Sequence, residues 1–167
     1  YITEASSDNT LYLNNGAETT FTDTTSTYDL AGVNTEYTLT ANWVDIDNDG
    51  DLDLYLSNYG DPNRLFINNG AGQPFTDGTA TYDLDLDPAG NHLESHWFDI
   101  NNDGYLDVYI INFDATNELY LNNGPGTAFT EVTSTYNAEG TTDRIFNGSI
   151  LDINNDGYMD IFLMSGT

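Results

Sequence analysis

Apolar and polar residues alternate strictly in three short stretches of this chain. The first is Leu52-Asp-Leu54-Tyr-Leu56-Ser, the second places Leu106, Val108 and Ile110 two residues apart, and the third does the same with Met159, Ile161 and Leu163. A period of two with β-branched and aromatic content predicts strands rather than helices. Each stretch is preceded by a short apolar run, Trp43-Val44, Trp97-Phe98 or Ile150-Leu151, across a polar, glycine-containing connection. Run, connection and strand therefore predict a β-hairpin. Two further clusters, Tyr59-Gly-Asp-Pro-Asn63 and Gly70-Ala-Gly-Gln-Pro74, are turns by composition. They set the limits of a four-strand unit: strand a over about Thr38 to Ile46, b over Leu52 to Asn58, c over Arg64 to Asn68 and d over Phe75 to Thr79, with residues from Tyr82 to about Leu93 linking to the next strand a.

The unit recurs. Leu11-Tyr-Leu-Asn-Asn-Gly16 returns as Leu65-Phe-Ile-Asn-Asn-Gly70 and Leu119-Tyr-Leu-Asn-Asn-Gly124. Phe21-Thr-Asp23 returns as Phe75-Thr-Asp77 and Phe129-Thr-Glu131, and Thr27-Tyr-Asp29 returns as Thr81-Tyr-Asp83 and Thr135-Tyr-Asn137. A fixed period of this size points to a propeller, solenoid or array. The expected class is all-β, with three repeats of about 54 residues forming four-stranded antiparallel blades of propeller type. The expected division is a strand and half blade (strands c and d) over 1–30, full blades over 31–83 and 84–137, and a half blade (strands a and b) over 138–167. Tyr1 to Ser7 resembles a degenerate strand d when set against Phe129 to Ser134.

The connection inside each predicted a–b hairpin carries the chemistry. The three copies are Asp45-Ile-Asp47-Asn-Asp49-Gly50-Asp51-Leu-Asp53, Asp99-Ile-Asn101-Asn-Asp103-Gly104-Tyr105-Leu-Asp107 and Asp152-Ile-Asn154-Asn-Asp156-Gly157-Tyr158-Met-Asp160. Their first aspartates stand 54 and then 53 residues apart. Oxygen-bearing side chains at loop positions 1, 3, 5 and 9, with glycine at 6 for the sharp turn, suit a hard cation that takes many oxygen ligands. The expected side-chain ligands are Asp45, Asp47, Asp49 and Asp53, then Asp99, Asn101, Asp103 and Asp107, then Asp152, Asn154, Asp156 and Asp160, with the backbone carbonyls of Asp51, Tyr105 and Tyr158 at position 7. Ligand number and loop flexibility favour Ca2+ over magnesium. Three structural calcium sites are expected. The loops lead into strands, which separates them from EF-hands and dockerins.

Charge narrows the partners. The formal net charge is −26, with Arg64 and Arg144 as the basic residues and no lysine. Such a chain repels nucleic acid and anionic membranes. There is no cysteine, and no run of 18 apolar residues predicts a membrane helix. Bound ions then take the place of the disulfides that staple many secreted domains. Tyr1 rather than Met at the first position suggests processing or a sequence missing its ends. Extracellular calcium, at millimolar levels, suits loops of the weaker class, so an extracellular or cell-surface location is expected.

These motifs resemble those of the FG-GAP and VCBS repeat family of integrin-like propellers and bacterial surface proteins. The resemblance rests on the three Asp-x-[Asp/Asn]-x-Asp-Gly-x-x-Asp loops, the strands that follow them, and the Leu-[Tyr/Phe]-[Leu/Ile]-Asn-Asn-Gly and Phe-Thr-[Asp/Glu] segments, from Asn9 onward. It implies propeller blades with calcium in the hairpin loop, and no single activity. The Phe-Gly and Gly-Ala-Pro segments that give the integrin form its name are absent here.

Other candidates are weaker. Trp43 and Trp97 read as core residues between blades, with a sugar-stacking platform as the alternative. His92 and His96 read as surface or strand residues, with a zinc site formed together with Glu94 as the alternative, in no firm motif. Asn147-Gly-Ser149 fits the N-glycosylation sequon. Asp85 and Asp87 mimic a glycosidase pair, a signal without weight among 28 acidic residues. No nucleophile motif, phosphate loop or redox cysteine pair is present. The leading expectation is a non-enzymatic, calcium-stabilised surface module for structure or cell adhesion, self-associating head to tail into a ring or filament through complementary half blades, or binding another surface protein. Alternatives are a fragment of a larger seven-bladed propeller that binds a protein or glycan, and an accessory domain of a carbohydrate-active enzyme.

Overall fold

The computed structural model describes residues 9–16, 20–30, 37–84, 91–140 and 144–166. The expectations for Tyr1 to Ser7 and for Asp85 and Asp87 lie outside the described residues. Among the described residues twelve strands form four antiparallel sheets, and two single-turn helices accompany them. The first is the hairpin β1 (Tyr12–Asn14) and β2 (Phe21–Asp23). The second joins β3 (Tyr37–Val44), β4 (Asp53–Tyr59), β5 (Arg64–Ile67) and β6 (Thr76–Asp77) in that order, followed by α1 (Thr79–Tyr82). The third repeats it with β7 (His92–Phe98), β8 (Asp107–Asn112), β9 (Glu118–Leu121), β10 (Thr130–Glu131) and α2 (Thr133–Tyr136). The last is the hairpin β11 (Ile145–Leu151) and β12 (Asp160–Ser165). The fold is all-β and built from propeller-type blades.

The sheets stack face to face, so the middle two are covered on both sides. Every residue of β8, and of β4 up to Asn58, is buried. One core lies between the first hairpin and the second sheet, formed by Leu11, Leu30, Leu54, Leu56, Phe66 and Phe75. A second joins the two four-stranded sheets through Val44, Ile46, Tyr55 and Tyr82 on one side and Val108, Ile110 and Phe129 on the other. A third seats Ile145 against Phe98, Tyr109, Ile111 and Leu119. The first strand of each unit lies innermost in the stack: β3 and β4 contact β7, and β7 and β8 contact β11.

Strand limits follow from where particular amides are bonded. Strand a was expected to reach Ile46 but stops at Val44, because the Ile46 amide donates to the Asp53 carboxylate at 2.9 Å and leaves the ladder. Strand d was expected from Phe75 to Thr79 and shrinks to Thr76–Asp77. The Phe75 amide donates to the Tyr28 carbonyl of the preceding unit at 3.0 Å, and the Thr79 amide donates to the Asp77 carboxylate at 3.0 Å. The chain then makes one helical turn, ended by a left-handed residue: Asp83 (φ 56°) after α1 and Asn137 (φ 53°) after α2. Short polar side chains of this type tolerate that conformation.

The Leu-x-x-Asn-Asn-Gly and Phe-Thr-Asp segments build each c–d hairpin. The amides of Leu11, Leu65 and Leu119 donate to the hydroxyls of Thr25, Thr79 and Thr133 at 2.9, 2.9 and 2.8 Å. The second asparagine of each pair clamps the turn, as when Asn69 Nδ2 donates to the Pro74 carbonyl and Thr76 Oγ1, and Asn123 Nδ2 to the Ala128 carbonyl and Thr130 Oγ1.

Candidate metal centres

Each a–b hairpin closes with the same nine-residue loop in the same conformation. Position 4 is left-handed in all three, at Asn48 (φ 59°), Asn102 (φ 59°) and Asn155 (φ 60°). Position 6 is also at positive φ, at Gly50 (φ 94°), Gly104 (φ 91°) and Gly157 (φ 89°), where a side chain would be strained. These two reversals fold the loop back so that the amides of positions 5 and 6 turn toward the position 1 side chain.

The position 1 carboxylate organises the turn. Asp45 accepts the amides of Asp49 (3.1 Å) and Gly50 (3.1 Å), Asp99 those of Asp103 (3.0 Å) and Gly104 (2.8 Å), and Asp152 those of Asp156 (3.1 Å) and Gly157 (2.8 Å). Position 3 accepts the position 5 amide as well, from Asp47, Asn101 and Asn154. Position 5 in turn accepts the amide of position 7, at Asp51, Tyr105 and Tyr158, each 2.9 Å away. Carboxylate oxygens of Asp45, Asp47 and Asp49 come within 4.8 Å of one another. Desolvation, then the neighbouring charges of Asp49 and Asp45, raises the Asp47 carboxyl above its ordinary range. In loops 2 and 3 an asparagine stands at position 3. Its amide donates to the position 5 carboxylate, Asn101 to Asp103 at 2.9 Å and Asn154 to Asp156 at 3.0 Å, so one like charge is replaced by a dipole.

Position 9 closes the loop from the following strand. Asp53 and Asp107 are fully buried, and desolvation pushes each carboxyl up to about 6. One oxygen accepts the position 2 amide, from Ile46 to Asp53 and Ile100 to Asp107 at 2.9 Å. The other accepts the amide of the first asparagine of strand c, Asn68 or Asn122, at 2.8 Å. Each oxygen has a second lone pair with which to face a cation. Asp160 accepts the Ile153 amide at 3.0 Å in the same way.

The donor set fits calcium: carboxylate, amide and carbonyl oxygens only, on a loop turned by glycine. No side-chain cation serves these loops among the described residues. Arg64 pairs with Asp77 at 2.7 Å, and the Arg144 guanidinium lies 5.3 Å from the Phe113 ring centre.

Two braces between loops were not visible in the sequence. Asn48 Nδ2 donates to the Gly104 carbonyl at 2.8 Å, which ties loop 1 to loop 2. Asn122 Nδ2, reaching from β9's end, donates to the Ile46 carbonyl inside loop 1 at 2.9 Å. Only the recurrence of asparagine at both positions hinted at a role.

The remaining candidates separate. His92 is buried with Nδ1 3.2 Å from Asn63 Oδ1 and Nε2 3.8 Å from Glu118, whereas His96 lies 3.4 Å from Glu94. The two histidines thus face different carboxylates, and among the described residues His92, Glu94 and His96 do not gather as a three-ligand group. Trp97 packs between blades, 5.1 Å from Tyr55 and 6.2 Å from Phe129 between ring centres. Trp43 is 39% exposed beside Phe75, so it is only half a core residue. Asn147 sits within β11, opposite Met164. Among the described residues no helix is long and apolar enough to cross a membrane.

The model of one protein family, described as an FG-GAP-like repeat, matches this chain three times, over residues 1–56, 45–110 and 99–163. No curated protein matches it.

Proposed function

The chain belongs to the FG-GAP-like repeat family, and from that premise we propose that it is a non-enzymatic, calcium-stabilised repeat module of the extracellular or cell surface, with a role in assembly or adhesion. One observation carries the reading: three loops, in three separate sheets, adopt one conformation, which in loop 1 brings carboxylate oxygens of Asp45, Asp47 and Asp49 within 4.8 Å of one another, with no side-chain cation at hand among the described residues. In loop 1 the side chains of Asp45, Asp47, Asp49 and Asp53 and the carbonyl of Asp51 would hold the ion. Asp99, Asn101, Asp103, Asp107 and the Tyr105 carbonyl would do so in loop 2, and Asp152, Asn154, Asp156, Asp160 and the Tyr158 carbonyl in loop 3. Bound calcium supplies positive charge where like charges converge.

The metal's role in this reading is structural. Ligands that repel one another in the empty loop make metal-binding energy part of folding energy. At a calcium concentration a hundred times Kd, each site adds about 2.7 kcal/mol to stability. Differential scanning calorimetry after exhaustive chelation, repeated with millimolar calcium, tests this directly. The melting temperature should rise steeply with calcium, and an unchanged value would remove the structural role.

A further inference from the structure

We propose, resting on the calcium reading of these loops, that loops 1 and 2 bind the ion cooperatively, each raising the other's affinity through a buried chain of hydrogen bonds from Asp107 to Asp53. The Asn122 backbone amide donates to Asp107 Oδ1 at 2.8 Å. The Asn122 side-chain amide donates to the Ile46 carbonyl at 2.9 Å. The Ile46 amide in turn donates to Asp53 Oδ2 at 2.9 Å. Three hydrogen bonds through two residues thus join the position 9 carboxylate of loop 2 to that of loop 1. Asp53, Ile46 and Asp107 are fully buried, and Asn122 is 1% exposed. Hydrogen bonds kept from water are electrostatically stronger and polarise one another along a chain.

Asn122 is held at both ends of its side chain. Oδ1 accepts the Gly124 amide at 2.9 Å, which leaves Nδ2 to face Ile46. Nδ2 also reaches the Leu106 carbonyl, one residue before Asp107, at 3.3 Å. A shift of Asp107 therefore moves Asn122, and a shift of Asn122 moves the Ile46 peptide inside loop 1.

A second link joins the loops at their tips. Asn48 Nδ2, at position 4 of loop 1, donates to the Gly104 carbonyl, at position 6 of loop 2, at 2.8 Å. The same peptide group carries the Tyr105 amide, which Asp103 accepts at 2.9 Å. Asn48 thus grips a peptide whose other side is fixed by a proposed ligand of loop 2.

The two blades also meet beside loop 1 at Tyr82. Its ring lies edge to face with Phe129 at 6.2 Å, as Tyr28 does with Phe75 at 5.8 Å. Its hydroxyl accepts the Gly126 amide of the next blade at 3.1 Å. Burial, and then the charges of Asp47, Asp53 and Asp49, raise that hydroxyl above its ordinary range against the Gly126 bond. The carboxylates of loop 1 therefore act on a group that docks blade on blade.

Each loop has two arrangements, with its carboxylates spread by repulsion or gathered. Gathering the ligands of loop 2 fixes Asp107, and through Asn122 it sets the Ile46 peptide before loop 1 is filled. Loop 1 then has less left to order, which tightens the second binding event. Linkage makes the effect reciprocal, and couplings of this type amount to about 5- to 150-fold in affinity.

Calcium titration of the full chain, followed by amide-resolved NMR, tests the coupling. The amides of Gly50, Gly104 and Gly157 each donate to the first aspartate of their own loop, so their resonances report the three loops separately. Asp103→Asn weakens loop 2 but keeps an oxygen to accept the Tyr105 amide. The Gly50 midpoint should then move to at least about fivefold more calcium, while the Gly157 midpoint stays in place. Asp49→Asn should move the Gly104 midpoint by a similar factor. In Asn122→Ala or Asn48→Gly, Asp103→Asn should move Gly50 much less. Asn48→Gly keeps the left-handed backbone accessible and removes an exposed bond, so it should fold even if Asn122→Ala does not, which circular dichroism checks. A Gly50 midpoint indifferent to Asp103→Asn, with all three glycines still responding to calcium, overturns the coupling and leaves the metal reading standing. Equal shifts at Gly50 and Gly157 overturn the relay, because a global folding transition moves every loop together. Coupling that survives in both brace variants also overturns it. Glycine resonances in the wild-type chain that ignore calcium overturn the metal reading and the coupling together.

Discussion

The side-chain amide of Asn122 donates to the carbonyl of Ile46, 76 residues earlier, at 2.9 Å. A residue of one blade thereby holds a peptide inside the candidate metal loop of another. Asn122 is buried and also accepts the Gly124 amide at 2.9 Å. Asn122→Ala should therefore destabilise the fold by about 1–3 kcal/mol, the cost of stranding buried polar groups. It should also weaken calcium binding at loop 1, although it touches none of that loop's proposed ligands. Urea denaturation and calcium titration of the variant read both effects, and a change in stability with unaltered calcium binding would show that the brace does not shape the loop.

Loop 1 should hold calcium most tightly. It offers four carboxylates where loops 2 and 3 offer three and an asparagine, so its attraction for a cation is greatest. The Asp45→Ala variant should need more calcium to fold than either Asp99→Ala or Asp152→Ala. Melting temperatures measured across a calcium series rank the three. If Asp45→Ala proves the least affected, loop rigidity outweighs charge.

Equivalent phenylalanines give an internal control on packing. Phe75 is buried in the core between the first and second sheets, and Phe21 occupies the same repeat position on an exposed face. Phe75→Ala should cost about 3–5 kcal/mol through lost burial and an unfilled cavity. Phe21→Ala should cost well under about 1 kcal/mol in dilute, monomeric protein. Equal losses at the two positions would mean that Phe21 is covered.

Asp77 should give acid sensitivity of a definite sign. Burial works to raise its carboxyl, but hydrogen bonds from the Thr79 side chain and amide, and the Arg64 guanidinium, outweigh burial and hold it below the usual range. A lowered carboxyl favours the folded state above its unfolded value, and that contribution disappears as pH falls through the folded value. The Arg64–Asp77 pair is 27% and 49% exposed at its two side chains, so screening limits its worth to about 1 kcal/mol. The stability gap between wild type and Asp77→Asn should stay constant from neutral pH down to about pH 4 and close below it. A gap that closes at higher pH would place the titration on another group.

Much of this architecture is legible locally. Alternation at Leu52–Leu56 shows a strand because side chains point to opposite faces, and Asp-x-Asn-x-Asp-Gly shows a turn because glycine supplies the positive φ. What the sequence hides is pairing at a distance. Strand d was expected to run to Thr79, yet the Phe75 amide leaves the ladder for Tyr28 and the Thr79 amide for Asp77, so a helical turn takes over. The braces from Asn48 and Asn122 join residues 56 and 76 positions apart, beyond the reach of any local pattern. His92 and His96, four residues apart in one strand, turn to different carboxylates, which spacing alone did not reveal.

The Phe–Tyr contact has a bearing on how such a protein changes length. Phe75 and Phe129 are each seated on the unit before their own, through the same ring geometry and the same amide bond. A gene duplication that copies one whole period, wherever its breakpoints fall, would supply every new phenylalanine with a tyrosine upstream and every new tyrosine with a phenylalanine downstream. A deletion of part of a period would break that correspondence at once. Repeat number is therefore the dimension along which this sequence can vary at least cost, in whole steps of about 54 residues.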